Sequence, residues 1–349
     1  MTDRLRGAYR KVALLLICCA LSACAKGGGA TGGAGASPPA MRLAMVTDVG
    51  GLGDKSFNDS AYAGLQEAKA KLGAQIEVLQ SRSAADYQPN LTVLADEEYD
   101  NIFAVGFMMS HDLELIARNY PRRHFAIVDA VIDQPNVASL TFREQDGSFL
   151  AGALAALVSK THKIAFLGGV DVPLIRKFET GFTAGAREID PKIDVQVKYV
   201  GSFQDVASGK ELAGVLYGSG VDVLYAAAGK SGLGAIDETR ARSNVYLIGV
   251  DSDQDALAPG KILTSVLKRV DVAVFKVAQE TAGQKPPSGE VEFGLKDDGV
   301  GLTDFKYTKN IIGTANIARI AALKAAIVDG KIVPPDTREK LAAFKPVKV

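Results

Sequence analysis

From residue 41 onward, short apolar runs alternate with stretches of helical periodicity. The runs lie at 43–46, 76–80, 102–105, 125–128 and 137–140, and a second set lies at 164–167, 195–200, 223–225, 245–250 and 262–267. Between them, segments such as 58–72, 112–120, 147–160, 174–189 and 270–283 space their apolar residues as helices do. In the first of these, Tyr62, Leu65, Ala68 and Leu72 share one face, and Gly73 stands where a helix stop belongs. Runs of about four to six apolar residues separated by helices predict parallel sheets covered on both faces. The second set repeats the first at similar spacing, which predicts two α/β lobes of roughly 100–150 residues each. One more helix is expected near 317–329.

The N-terminus follows a different logic. Arg4, Arg6, Arg10 and Lys11 precede an apolar core at 12–20. That core is far shorter than the roughly 20 residues needed to span a bilayer, so residues 1–23 read as a secretory signal peptide. It ends in Leu21-Ser22-Ala23-Cys24, a pattern similar to a lipoprotein processing box, with Cys24 as the acylated new N-terminus. After Cys24, residues 25–40 are Gly, Ala, Ser and Pro with one lysine and one threonine, a composition that cannot order itself, so 24–40 form a tether. The expected location is therefore a membrane surface on the exported side. Cys18, Cys19 and Cys24 are the only cysteines, so the folded part has no disulfide and no cysteine-based metal site.

Composition narrows the function. The chain is 47% hydrophobic and 23% charged, enough for a sizeable core. Its 40 basic and 40 acidic residues balance, which argues against a nucleic-acid partner.

Candidate chemistry sits at the ends of the apolar runs, where ligands bind in open α/β sheets. Asp48 follows the first run, Gly106 the third and Asp129 the fourth. In the second set, Phe203, Gly229, Asp251 and Lys268 follow their runs. The stretch Asp54-Lys55-Ser56-Phe57-Asn58-Asp59 leads from a glycine-rich turn into the first helix and sets Phe57 and Asn58 at the cleft mouth. Phe57 and Phe203 would sandwich a planar group. Asp251 would accept from two neighbouring hydroxyls, with Lys268 holding it ionised, while Asn58 and Asp129 would read a base edge. Gly106 and Gly229 would let backbone approach the ligand. Taken singly, each has a plainer reading as helix cap, core residue or solvated charge; the joint placement argues for a site. Enzyme patterns fail: Leu224 occupies the first glycine position of a would-be phosphate loop ending Gly229-Lys230-Ser231, and no nucleophile elbow appears in suitable context. His111, His124 and His162 have no metal-ligand spacing, so neither metal nor cofactor is expected.

Several pieces together resemble the basic membrane protein family of bacterial lipoproteins, which includes purine nucleoside receptors of ABC transporters. They are Thr47-Asp48, Asp54-Lys55-Ser56-Phe57-Asn58, Val105-Gly106-Phe107, Val128-Asp129, Gly201-Ser202-Phe203, Ala227-Ala228-Gly229, Gly249-Val250-Asp251, Ser265-Val266-Leu267-Lys268 and Val300-Gly301-Leu302. The resemblance covers residues 41 to 349. It implies a two-lobe type I periplasmic-binding-protein fold with three crossings, each lobe a parallel sheet flanked by helices. The expected lobes are 41–145 with 258–290, and 146–257 with 291–349. It also implies a non-enzymatic receptor that passes a nucleoside to an ABC permease. By the resemblance Phe57 and Phe203 are the purine platform, Asn58 and Asp129 contact the base, Asp251 and Lys268 the ribose, and Asp48, Gly106 and Gly229 complete the pocket. Rival readings are a binder of a free sugar or other small polar ligand, a surface receptor or adhesin, and a nucleoside hydrolase using clustered aspartates.

The anchor is open to direct test. Metabolic labelling with a fatty-acid analogue should mark the wild-type chain and not Cys24→Ala; equal labelling of the two would rule out acylation at Cys24.

Overall fold

The computed structural model describes residues 40–347; the signal peptide and Cys24 lie outside them. The strands are β1 (Arg42–Thr47), β2 (Gln75–Gln80), β3 (Asn101–Val105), β4 (Phe125–Val128), β5 (Val137–Phe142), β6 (Lys163–Gly168), β7 (Asp194–Tyr199), β8 (Val223–Ala227), β9 (Tyr246–Asp251), β10 (Ile262–Lys268), β11 (Gly289–Phe293) and β12 (Val300–Leu302). The helices are α1 (Phe57–Leu72), α2 (Tyr87–Asp96), α3 (Ser110–Asn119), α4 (Glu144–Val158), α5 (Pro173–Ile189), α6 (Val206–Gly218), α7 (Gly232–Arg240), α8 (Val270–Ala282), α9 (Lys309–Ile312), α10 (Thr314–Val328) and α11 (Arg338–Ala343).

Two six-stranded sheets result. The first runs β11-β5-β4-β3-β1-β2 and the second β12-β10-β9-β8-β6-β7. Every pairing is parallel except β10 with β12. Central strands β3, β4 and β8 are buried at every position, as continuous apolar runs between two helical layers require. Edge strands β2 and β7 contain only exposed and half-buried residues. Gly73 closes α1 in the left-handed conformation at φ 69°.

The chain crosses between lobes three times: from β5 into α4, from β10 into α8, and from β11 into β12. The second crossing corrects the expected boundary. The segment 258–290 was expected wholly in the first lobe, yet β10 pairs in parallel with β9 and belongs to the second sheet. Only after Lys268 does the chain leave, and α8 then packs on α1. The α1–α8 contact is close because Gly64 has no side chain: a Cβ there would lie 2.4 Å from the Asp271 carbonyl oxygen. The third crossing falls after Phe293, a few residues beyond the expected 290. The tail helices α10 and α11 pack on α4 and α5, in the second lobe.

This topology points the carboxyl ends of both sheets at each other. The residues that follow β1, β3 and β4 face those that follow β7, β8, β9 and β10 across the seam between lobes.

Candidate functional site

All nine candidate ligand residues line one inter-lobe cleft. On the first-lobe side, Asp48 Oδ1 accepts from the Gly50 N–H at 2.9 Å and from Asn58 Nδ2 at 2.8 Å. The start of α1 is organised by Asp54. Its carboxylate accepts from the backbone N–H groups of Ser56 (2.9 Å), Asn58 (2.8 Å) and Asp59 (3.1 Å). These are orphan donors of a helix's first turn, so Asp54 does the capping, and Ser56 caps nothing with its side chain. Asn58 and Phe57 are thereby free to face the cleft.

Asp54 Oδ2 also takes a hydrogen bond from Asn58 Nδ2 at 3.1 Å. Both amide hydrogens of Asn58 are thus committed to carboxylates, which fixes the amide's orientation. Its carbonyl Oδ1 is left buried and without a protein partner. Asn58 therefore offers the cleft an acceptor.

The strand ends use backbone conformations that few side chains adopt. Asp129 after β4 has φ 72° and Asp251 at the end of β9 has φ 63°. Such residues persist where the surroundings over-determine them, often at ligand sites. Gly106 at φ 124° packs beneath Asp48; a Cβ at Gly106 would approach Asp48 Cβ to 3.3 Å.

The seam between lobes is a buried ion cluster. Lys268 is 2% exposed, and its Nζ lies 2.6 and 2.7 Å from the two Asp129 oxygens and 3.0 Å from Glu144 Oε1. Glu144 in turn receives Lys177 Nζ at 3.2 Å. The rings of Phe57, Phe142 and Phe178 surround the ammonium at 5.1–5.6 Å. Burial alone pulls the Lys268 pKa down, but the carboxylates of Asp129, Glu144 and Asp251 more than offset it and hold the ammonium charged well above its ordinary range.

One expected partnership differs from what is found. Lys268 was paired with Asp251; its contacts are to Asp129 and Glu144, because β10 ends over the first sheet's β4 and the first crossing. Asp251 instead accepts from the first-lobe Ser56 hydroxyl at 2.5 Å. Around it, Ser252 Oγ donates to the Ser56 carbonyl at 2.9 Å and Gln254 Nε2 to the Lys55 carbonyl at 3.0 Å, so the lobes are in contact here. Phe203 meets Phe107 edge-on, with ring centroids 6.5 Å apart and planes at 78°. Phe57 lies beside Lys268 on the wall of the same cleft.

Asp54, Phe107, Phe178 and Lys230 also line the cleft, and Glu144 backs it. Sequence reasoning placed none of these in the site. Phe107 and Lys230 each follow a glycine that was named, so listing three residues past each strand finds them. Phe178 sits on the face of α5, where strand ends give no signal.

The cleft thus combines aromatic faces, carboxylate and amide acceptors and two lysines. Among the described residues, no group of three or more His, Cys, Asp or Glu is arranged to hold a metal ion.

Comparison with known proteins agrees with this geometry. Residues 41–337 match the family model for PnrA-like ABC transporter substrate-binding proteins, named Bmp. The chain belongs to this family. Bmp proteins are substrate-binding components rather than enzymes. The chain is 39% identical over 316 residues to the CD4+ T-cell-stimulating antigen of Listeria innocua, covering 84% of this chain and 88% of that protein. It is 38% identical over 317 residues to the ABC transporter nucleoside-binding protein BmpA of Lactococcus lactis, covering 84% and 89%. A solute-binding protein of an ABC transporter system from Aeropyrum pernix has the same fold, with a TM-score of 0.80 and 29% identity, covering 87% of this chain and 96% of that one. The two-lobe type I architecture is therefore that of a solute-binding protein.

Burial makes this Bmp site pH-sensitive. Desolvation pushes Asp251 up to about 7 and Asp48 up to about 6, against the opposing pull of Lys268 and Ser56 on the first and of Asn58 and Gly50 on the second. A carboxyl raised above its unfolded value of 3.8 contributes stability that is whole below about pH 4 and is lost as pH climbs through its folded value. Urea melts of ligand-free protein should therefore show Asp251→Asn gaining on wild type between about pH 4 and 7, by a few kcal/mol in order of magnitude. A difference that stays constant over that window would contradict the assignment.

Proposed function

We propose that the protein captures a purine nucleoside in the inter-lobe cleft and delivers it to an ABC permease, while tethered to the exported face of the membrane through lipid on Cys24. The observation that carries the nucleoside reading is the pairing, in one cleft, of aromatic faces with the buried carboxylate Asp251. A nucleoside presents a flat base and a vicinal diol in the same molecule, and needs both features. The Lactococcus relative's description as nucleoside-binding points the same way. For the tether, support comes from the signal pattern ahead of Cys24 and from a relative in Pyrococcus horikoshii described as a lipoprotein. Among the described residues, no helix is long and apolar enough to cross a membrane.

In this reading Phe57 and Phe203 bind the base through its faces, and Asn58 and Asp129 read its edge. Asp251 accepts from the ribose hydroxyls through the oxygen that Ser56 leaves free, with Lys268 beside it. Asp48 orients Asn58, and Gly106 and Gly229 keep the walls close. Bound ligand touches both lobes and so favours their closed arrangement by its differential contacts.

Calorimetry with inosine, guanosine, adenosine, their 2′-deoxy forms and free ribose checks this. Phe203→Ala should weaken every nucleoside by about 1–3 kcal/mol, since every base has a π-face. Asp251→Ala should reduce the preference for ribo- over deoxynucleosides by about 1.5–3 kcal/mol, the worth of a hydrogen bond to a charged group. Free ribose binding as tightly as the nucleosides would replace this reading with a sugar binder.

A further inference from the structure

The cleft is lined by two cations, and they are in opposite states. Lys268 is enclosed by Asp129 and Glu144. Lys230 is half-buried at the cleft wall, and among the described residues its ammonium has neither a hydrogen bond nor an ion pair. An ammonium has three donors and no acceptor, so any partner it finds in the cleft is an acceptor.

Its place along the sheet defines what that partner is. In the second sheet β8 lies between β9, which ends in Asp251, and β6 with β7, which lead to Phe203. Lys230 lies three residues past β8, in a turn tied to the Phe203 loop. The Ser231 N–H donates to the Phe203 carbonyl at 3.1 Å, and Ser231 Oγ donates to the Ser202 carbonyl at 2.9 Å. Gly229, at φ 54°, brings the turn close enough that a Cβ would lie 3.5 Å from Phe203 Cβ. Lys230 therefore belongs to the aromatic end of the cleft, beside the ring on which a base would lie. The first-lobe wall of the same cleft carries acceptors, among them the unpartnered Asn58 Oδ1.

Resting on the nucleoside reading above, we propose that Lys230 determines base specificity by donating to an acceptor edge of the purine, which favours 6-oxopurines over 6-aminopurines. A 6-oxopurine offers O6 and N7 as adjacent acceptors, the pair that lysine reads on guanine. The same base offers an N1–H donor for the acceptor wall. Adenine replaces O6 with an amino group, which turns N–H donors toward the ammonium and leaves N1 without its hydrogen. Free energy is lost at both walls, because a site built to pair a polar group discriminates strongly against the analogue that cannot.

The test is calorimetry of the purified domain with guanosine, inosine and adenosine, for wild type, Lys230→Met and Lys230→Arg. Methionine keeps the length and apolar stem without the donors. Wild type should bind the two oxopurine nucleosides at least about tenfold more tightly than adenosine. Lys230→Met should weaken guanosine and inosine by about tenfold and adenosine by less than about threefold, while Lys230→Arg keeps the preference through its own donors. Unchanged melting temperatures establish that the variants fold. An oxo-to-amino ratio that Lys230→Met leaves in place would overturn the role of Lys230 and spare the nucleoside reading. Wild type that binds none of the three would overturn both.

Discussion

The ammonium of Lys268, buried between Asp129 and Glu144, is the interaction on which the seam between the lobes depends. Each partner comes from a different part of the chain: Asp129 follows β4 of the first sheet, Glu144 opens the helix after the first crossing, and Lys268 ends β10 before the second crossing. A buried charge that loses one partner costs about 3–5 kcal/mol, so the arrangement is stable only when all three elements are in register. The aromatic rings around the ammonium supply an apolar wall that still favours a cation. The cluster thus couples correct assembly of two lobes to the shape of the cleft they enclose.

Around that cluster, the fold delivers polar groups to the cleft from strand ends and helix starts, where backbone geometry is set by the sheets. Asp129 and Asp251 adopt left-handed conformations, and Asp54 caps α1 so that Asn58 and Phe57 turn inward. Capping from outside the helix leaves the first-turn side chains for other work. Fixing Asn58 by two carboxylates then decides which of its atoms the cleft sees. Rigid supports of this kind lower the ordering cost that a ligand would otherwise meet on binding.

Much of this was legible from the amino-acid sequence because central parallel strands are buried on both faces. Residues 102–105 and 223–225 read as continuous apolar runs, and the Asp, Gly and Phe residues that follow such runs mark the cleft. What was not legible depended on pairing across long separations. Gly289–Phe293 alternates Glu290 and Glu292 with Val291 and Phe293 over only five residues, and Val300–Leu302 is three residues long, so neither forms a continuous apolar run. Nothing local tells β10 to stay with the second sheet; only its register with β9 does. The same holds for the site. Asp251 and Lys268 were recognisable as polar strand ends, but their partners, Ser56 for one and Asp129 with Glu144 for the other, are set by how two lobes meet. Phe178 contributes from a helix face, and Glu144 is a buried charge with no apolar pattern around it.

The account's central claim is that this closed, aromatic and carboxylate-lined cleft is complementary to one purine nucleoside. Native mass spectrometry of the soluble domain, purified without denaturation, tests it most directly. The account predicts a non-covalent adduct of one nucleoside per chain, released on unfolding and identified as a purine by its fragment mass. A bare protein mass that added purine nucleosides do not shift, or an adduct with the mass of a free sugar, would contradict it.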